Sequence, residues 1–371
     1  MKVKRILKWT WATMLLALIL SFLVVFIAYW RSTNDCDRKT ALTNPMKASR
    51  YCEYGPPDVV KLVDVEKPVP TDDQVLIKVR AASLNALDVY VTRDSWLGRL
   101  IFGLRKPRDT RLGQDVAGQV EAVGKNVTRF KPGDEVFGIS RGALAEYACT
   151  PERALVMKPP NVSFEQAASI PLAGLTALQG LHEGKIQPRQ KVLINGATGG
   201  VGTFAVQIAK SLGAEVTAVC STRNVDLVRS IGADHVIDYT KEDFTKSDQR
   251  YDVIFDNVAN HSFNERRRVL NPKGICVLAG MGGAGVREGQ ALGRIAGNLF
   301  IARGLSSFTD QKFAQYMTKV SKDDLIMLGD LVEAGKLKPV IERTYKLTDA
   351  PEAFRSLDQG HARGKLVVTI E

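Results

Sequence analysis

The chain is poor in the residues that hold metals. Its 371 residues include four histidines and five cysteines. The cysteines are scattered at Cys36, Cys52, Cys149, Cys220 and Cys276, no C-x-x-C occurs, and no ligand spacing for zinc is visible. The expectation is no metal site, with free, mostly buried thiols in a reducing compartment. Cys36 and Cys52 flank a polar stretch and could pair only if that region faced an oxidising space. Acidic residues are also short: 40 Asp and Glu against 51 Lys and Arg leave a net charge of +11. Yet aromatics are not interleaved with the basic residues, as a strand-binding groove would require. The densest internal run is only "ERRR", Glu265–Arg268. A nucleic-acid partner is therefore not expected. The excess is assigned to solvated surface, to the N-terminus and to a face that meets a phosphate. No internal repeat and no long low-complexity stretch is present.

One long apolar run stands at the start. Trp9 to Trp30 carries no charge over 22 residues, and at ~1.5 Å rise per residue it is long enough to span a bilayer. Tryptophans and Tyr29 sit at its ends, where aromatic belts lie. A signal peptide would have a shorter apolar core and a small-residue cleavage site, which "VVFIAYWRSTND" lacks. The expectation is a basic flank (1–8), a single-pass membrane anchor (9–30) and a polar linker (31–54). Lys2, Lys4, Arg5 and Lys8 outweigh Arg31, Arg38 and Lys39 on the far flank. The positive-inside rule thus leans towards an internal N-terminus and an external body. A cytosolic body is nonetheless the expectation.

After the linker, "DDQVLIKVRAASLN" has apolar residues at strand spacing. "GQDVAGQVEAVG" and "KPGDEVFGI" are glycine-rich strand-and-turn segments. From about Gln166 the pattern changes. "KVLIN" reads as a buried strand and "VGTFAVQIAKSLG" as an amphipathic helix that stops at Gly213. "EVTAVCS", "DHVID", "YDVIFD" and "ICVLAG" read as further buried strands, with "NVDLVRSIG" a helix between the first two. Such alternation implies a doubly wound parallel sheet in an α/β protein. The tail adds a helix, "KDDLIMLGDLVEAG", and strand-like pieces ending in "GKLVVTI".

The stretch "NGATGGVG", Asn195–Gly202, lies directly between the first buried strand and its helix. Gly196-x-x-Gly199-x-x-Gly202 permits a tight turn, close backbone approach to a pyrophosphate and helix-on-strand packing. The helix N-terminus then offers unpaired N–H groups and the positive end of its dipole. Thr198, Gly200 and Val201 complete this cradle. It is not a P-loop, because no Gly-Lys-Ser/Thr follows. An NAD-selective site would place an acid at the end of the second strand. Here "EVTAVC" runs into Ser221, Thr222, Arg223 and Asn224, with no acid before Asp226. Ser221 and Arg223 can bind a 2′-phosphate, so NADPH is the expected cofactor.

Short-chain dehydrogenases need Tyr-x-x-x-Lys, and no tyrosine here has lysine four residues on. The chain instead resembles the medium-chain dehydrogenase/reductase superfamily and, within it, the zinc-free quinone oxidoreductase-like branch. The resemblance runs from about Tyr54 to Glu371 and rests on "AASLNALDVY", "GQDVAGQVEAVG", "KPGDEVFG", "IPLAGLTALQGL", "NGATGGVG", "IGADHVIDY", "GKLKPVIERTY" and "GHARGKLVV", in that order. It implies a mostly-β GroES-like catalytic domain (55–173 and 317–371) and a Rossmann NADP-binding domain (174–316). Where zinc relatives carry a ligand cysteine this chain reads "SLNALD", and their "GHE" reads Gly113-Gln114-Asp115. Without a Lewis acid, an activated double bond or a quinone is a better hydride acceptor than a simple ketone.

By the same resemblance Asn85 lies near the nicotinamide, Tyr90 faces the substrate, Thr176 touches the carboxamide and Lys365 contacts the cofactor. Tyr239 closes the 2′-phosphate pocket, and Ala279–Gly283 backs the nicotinamide. Against these stand plainer roles: Asn85 as a helix cap, Tyr90 as packing, Thr176 as a back-bonded helix hydroxyl, and Arg223 and Lys365 as surface charges. Asp88 is read as orienting local backbone and His361 as structural. The implied function is NADPH-dependent, zinc-independent reduction of a small lipophilic quinone or enone. A membrane-bound structural or trafficking protein that keeps the fold and an enoyl reductase acting on an acyl chain are the alternatives. A homodimer is compatible with this reading.

Overall fold

The computed structural model describes residues 33–37, 41–279, 310–360 and 362–371, together with positions 17, 19–24, 26, 27 and 29. Among the described residues no helix is long and apolar enough to cross a membrane. This overturns the expected transmembrane helix over 9–30, and with it the single-pass membrane localisation and its cytosolic facing. A span needs about 20 consecutive apolar helical residues, and no such continuous helix is described; the rest of 9–30 lies outside the described residues.

Two further expectations are corrected at this end. Residues 45–51, read as part of a polar linker, form strand β1 (Pro45–Tyr51), which pairs antiparallel with β2 (Val60–Glu66). The alternation that buries Met46, Ala48 and Tyr51 is interrupted by polar partners, which hid it in the sequence. Cys36 and Cys52 are joined in a disulfide rather than free.

The next strands are β3 (Gln74–Ser83), β4 (Asp115–Val123), β5 (Glu135–Ile139), β6 (Tyr147–Pro151) and β7 (Leu155–Met157). Two short helices, α1 (Ala86–Thr92) and α2 (Trp96–Phe102), fill the connection from β3 to β4. Val75, Ile77, Val79, Val116 and Val136 point into one apolar core. Helices α3 (Phe164–Ala168) and α4 (Pro171–Glu183) carry the chain to the second half. Proline at the first turn of α4 costs no hydrogen bond there, and its Leu175, Leu178 and Leu181 are buried.

The second half alternates β8 (Lys191–Asn195), α5 (Gly200–Ser211), β9 (Glu215–Cys220), α6 (Val225–Ser230), β10 (His235–Asp238), β11 (Tyr251–Asp256), α7 (Phe263–Arg268), β12 (Leu270–Leu278) and β13 (Lys312–Gln315). These strands form one parallel sheet in the order β10-β9-β8-β11-β12-β13. Its strand order reverses beside β8, and ligands of such sheets bind outside the carboxyl ends at that point. The chain then returns through α8 (Lys322–Glu333), β14 (Ile341–Lys346), α9 (Ala350–Asp358) and β15 (Lys365–Thr369). Strand β15 pairs with β3 and completes the mostly antiparallel seven-stranded sheet.

Candidate active site

The glycine loop follows β8 at the switch point of the parallel sheet. Its glycines serve different ends. Gly196 has φ +83°, and a Cβ there would meet Val258. A Cβ on Gly202 would lie 2.1 Å from the Gly196 carbonyl oxygen, so the turn closes only with glycine. A Cβ on Gly200 would lie 2.8 Å from Lys365 Cδ. At Gly199 the protein makes no such demand: φ is −72°, and the nearest atom to a Cβ is 3.9 Å away. That glycine leaves room for something the chain itself does not supply. Gly199 also caps α5 without a side chain, so the first N–H groups of a three-turn helix face the opening with the positive dipole end behind them. The cradle fits a pyrophosphate. Thr198 accepts from Gly364 N–H at 2.8 Å through its carbonyl, and Gly199 bridges to Gly364. The loop is thereby tied to the segment that enters β15. Val201 packs against the core beneath.

Lys365 connects this cradle to a buried polar cluster. Its Nζ donates to Asn85 Oδ1 at 2.6 Å and to Asp115 Oδ2 at 3.1 Å. Asp115 Oδ2 also accepts from Ser83 Oγ at 2.7 Å and Asn85 Nδ2 at 2.9 Å, while its Oδ1 accepts from Leu172 N–H at 2.8 Å. Asp115 and Lys365 are both buried, at 0% and 3% exposure. Such a pair persists only when its remaining lone pairs and protons are bonded, and four donors from four elements meet that need. Asn85 stands at the N-cap of α1, but its side chain turns to Lys365 and Asp115; its backbone N–H donates to Asp88 Oδ2 at 2.8 Å. Asp88 also accepts from Gly113 N–H at 3.2 Å. Burial pushes the Asp88 carboxyl up to about 7, opposed by these two N–H groups and reinforced by the Asp115 charge.

The other candidates lie around this cluster. Tyr90 is half-buried on α1, its ring edge-on to Phe102 of α2 at 6.3 Å. Thr176 is on α4, one turn after the Leu172 that binds Asp115; its hydroxyl donates back to the Leu172 carbonyl at 2.7 Å and lies 2.9 Å from Thr318 Oγ1. Of Ala279–Gly283 only Ala279 is among the described residues, and His361 also lies outside them.

At the far end of the cradle, Ser221 follows β9 and accepts from Asn224 Nδ2 at 3.1 Å. Asn224 is buried, reaches towards Thr198 Oγ1 at 3.5 Å and leaves its Oδ1 without a partner. Arg223 is exposed. Tyr239 is 60% exposed beside them, its N–H donating to the Cys220 carbonyl at 2.9 Å. An acid is present after all, one strand further on: Asp238 ends β10. Its carboxylate is taken up by the Thr222 and Thr240 hydroxyls at 2.5 and 2.8 Å, which hold it down at about 2.

Sequence reasoning used Asp115 only as a failed metal ligand and missed Ser83 and Asn224. An aspartate between apolar strand residues, "GQDVAG", and a lysine opening "KLVVTI" were the available signals; both charges needed a buried partner. A second buried pair went unread. Arg266 Nε lies 2.7 Å from Asp256 Oδ2, and Asp256 Oδ1 accepts from Asn195 Nδ2 at 2.8 Å. This pair braces the crest between β8 and β11, beneath the cradle.

Two family models match the chain: an alcohol dehydrogenase GroES-like domain over residues 71–160 and a zinc-binding dehydrogenase over residues 231–368. A bovine (Bos taurus) relative, "NAD(P)H oxidoreductase RTN4IP1, mitochondrial", is 33% identical, covering 93% of this chain and 96% of its own. The chain belongs to the medium-chain dehydrogenase/reductase superfamily. The quinone oxidoreductase of Coxiella burnetii is similar in structure, with TM-score 0.74 and 31% identity over 88% of this chain and all of the other. "NADPH-dependent alkenal/one oxidoreductase, chloroplastic" of Arabidopsis thaliana is 34% identical over 88% of this chain and 80% of its own. The protein is thus an oxidoreductase of the quinone oxidoreductase-like branch, with a GroES-like half, a Rossmann-type half and a nicotinamide cofactor. Among the described residues no group of three or more His, Cys, Asp or Glu could hold a metal ion.

Proposed function

We propose that this protein reduces quinones or α,β-unsaturated carbonyl compounds with NADPH and without a metal. The observation that carries the reading is the joining of an open phosphate cradle at Gly199 to the buried Asn85–Lys365–Asp115 cluster, through Lys365 passing beside Gly200. When bound, NADPH supplies a hydride, and that hydride suits the β-carbon of an enone or a quinone ring. This chain's residues hold and orient. The α5 N-terminus takes the pyrophosphate. Lys365 uses two of its three N–H donors on Asn85 and Asp115, and its third is available at the junction of the cradle and the cluster. Tyr90 and Phe102 give the substrate side an apolar wall. The stretches "SLNALD" and Gly113-Gln114-Asp115 stand where zinc-dependent relatives have ligands, and Asp115 is already engaged by four donors. The similarity to an alkenal/one oxidoreductase and to a quinone oxidoreductase supports the substrate class.

The preference for NADPH rests on Ser221, Arg223 and Tyr239; the Asp238 carboxylate keeps its charge and is held by the Thr222 and Thr240 hydroxyls. Two measurements on the purified full chain test the reading. A quinone and enal panel with NADPH should show turnover that survives prolonged chelation; absence of turnover across the panel would favour the non-catalytic alternative. Arg223→Ala should raise the KM for NADPH about tenfold, the scale of losing ~1.5–3 kcal/mol of charged hydrogen bonding, while NADH kinetics barely move. Equal losses with both cofactors would exclude Arg223 from phosphate recognition.

A further inference from the structure

We propose that this protein matures in an oxidising compartment, where the Cys36–Cys52 disulfide clamps residues 33–37 onto the segment 96–108 beside Tyr90. The two Cα atoms are 5.9 Å apart across a sequence separation of 16. Contacts that owe nothing to sulfur seat the same junction. Asn34 is buried; its Nδ2 donates to the Cys52 carbonyl at 2.9 Å and its Oδ1 accepts from Cys36 N–H at 3.1 Å. Asp37 donates back to the Asn34 carbonyl at 3.1 Å.

Both sides of the bridge grip one loop. On the Cys36 side, Asp37 pairs with Lys106. On the Cys52 side, Tyr54 Oη donates to the Gly103 carbonyl at 2.8 Å, and the Arg99 guanidinium lies 5.1 Å over the Tyr54 ring. Gly103, with φ +139°, turns the chain between these contacts. The residue before it, Phe102, packs on Tyr90. The compartment half of the proposal stands on the disulfide alone; its effect on substrate rests on the pocket reading given above.

Closing the bridge converts two thiols to one S–S bond and removes two protons and two electrons. A disulfide-bearing oxidant accepts them. One cysteine thiolate attacks its S–S bond and releases one oxidant thiolate; the second attacks the resulting mixed disulfide and releases the oxidant as a dithiol. A reducing thiol pool would run these steps backwards. The remaining cysteines are placed to stay out of the exchange. Cys220 and Cys276 are buried and Cys149 half-buried, and burial pushes all three thiols up, which withholds the reactive thiolate.

The test quenches cells that make the full chain natively in acid, alkylates free thiols and maps peptides without reduction. The expected result is a Cys36–Cys52 linked peptide as the main form, with Cys149, Cys220 and Cys276 alkylated. Alkylation of both Cys36 and Cys52 in the quenched cells would overturn the proposal. In the C36S/C52S double variant, hydrogen exchange at the Asp37 amide should quicken about tenfold or more, and the KM for an enone should rise about threefold with NADPH affinity, read by fluorescence titration, unchanged. Unchanged exchange at Asp37 would overturn the clamp. Faster exchange with an unchanged enone KM supports the clamp and instead counts against Phe102 as part of the substrate wall.

Discussion

Gly199 and Gly202 look alike in the sequence and do opposite things. Gly202 is fixed by the protein: a methyl there would sit 2.1 Å from the Gly196 carbonyl oxygen. Gly199 is not fixed by the protein in this way: its backbone suits any residue and its Cβ position is open, as the proposed phosphate site needs. Gly199→Ala should therefore leave the melting temperature of the ligand-free protein unchanged or slightly raised, through the unfolded chain, while weakening NADPH binding about tenfold or more. Gly202→Ala should lower the melting temperature before any ligand is added. Equal effects of the two on ligand-free stability would contradict this division. Asp88 makes a pH prediction. Its folded carboxyl titrates at about 7 against 3.8 in the ordinary case. Between those values the folded state binds more protons than the unfolded one, so stability falls as pH rises from about 4 to about 7, by up to about 4 kcal/mol. Asp88→Asn should flatten that slope in urea-melt midpoints taken from pH 4.5 to 8. A variant with the wild-type slope would show that another group titrates.

At the scale of elements, what could be read in the sequence was local. The apolar run of β8, the glycines and the amphipathic α5 are contiguous, so the cradle and its parallel sheet were legible. Strand β1 was not, because "PMKASRY" buries its residues against partners far along the chain, Ala48 bridging to Ala145 and Arg50 to Arg111. The cluster was half legible for the same reason. Asn85 and Lys365 were found by motif. Their union at Asp115 joins positions up to 280 residues apart, and no local pattern records that. The link between cradle and β15 is likewise non-local, and it yields a prediction at this scale. Gly364 has φ +95°, and a Cβ there would lie 2.3 Å from the Val340 carbonyl oxygen. Gly364→Ala should displace the start of β15 and break its bond to Thr198. Thermal stability and NADPH affinity should then fall together; a loss of only one would mean that the cradle does not depend on this bridge.

Across the whole molecule, the two halves meet where the chemistry is proposed. Strands β3, β4 and β15 of one half bring Ser83, Asp115 and Lys365 to the junction. Helix α4 brings Leu172, and the other half brings the cradle. The proposed reaction needs a bound nicotinamide and an acceptor held beside it. The most direct measurement is a single turnover of the full chain with NADPH deuterated on the transferring face at C4, an enone and a strong chelator, followed by mass spectrometry of the product. The account predicts one deuterium on the β-carbon and a proton from water on the α-carbon. Product with no deuterium at the β-carbon, or turnover that stops when the chelator is added, would contradict it.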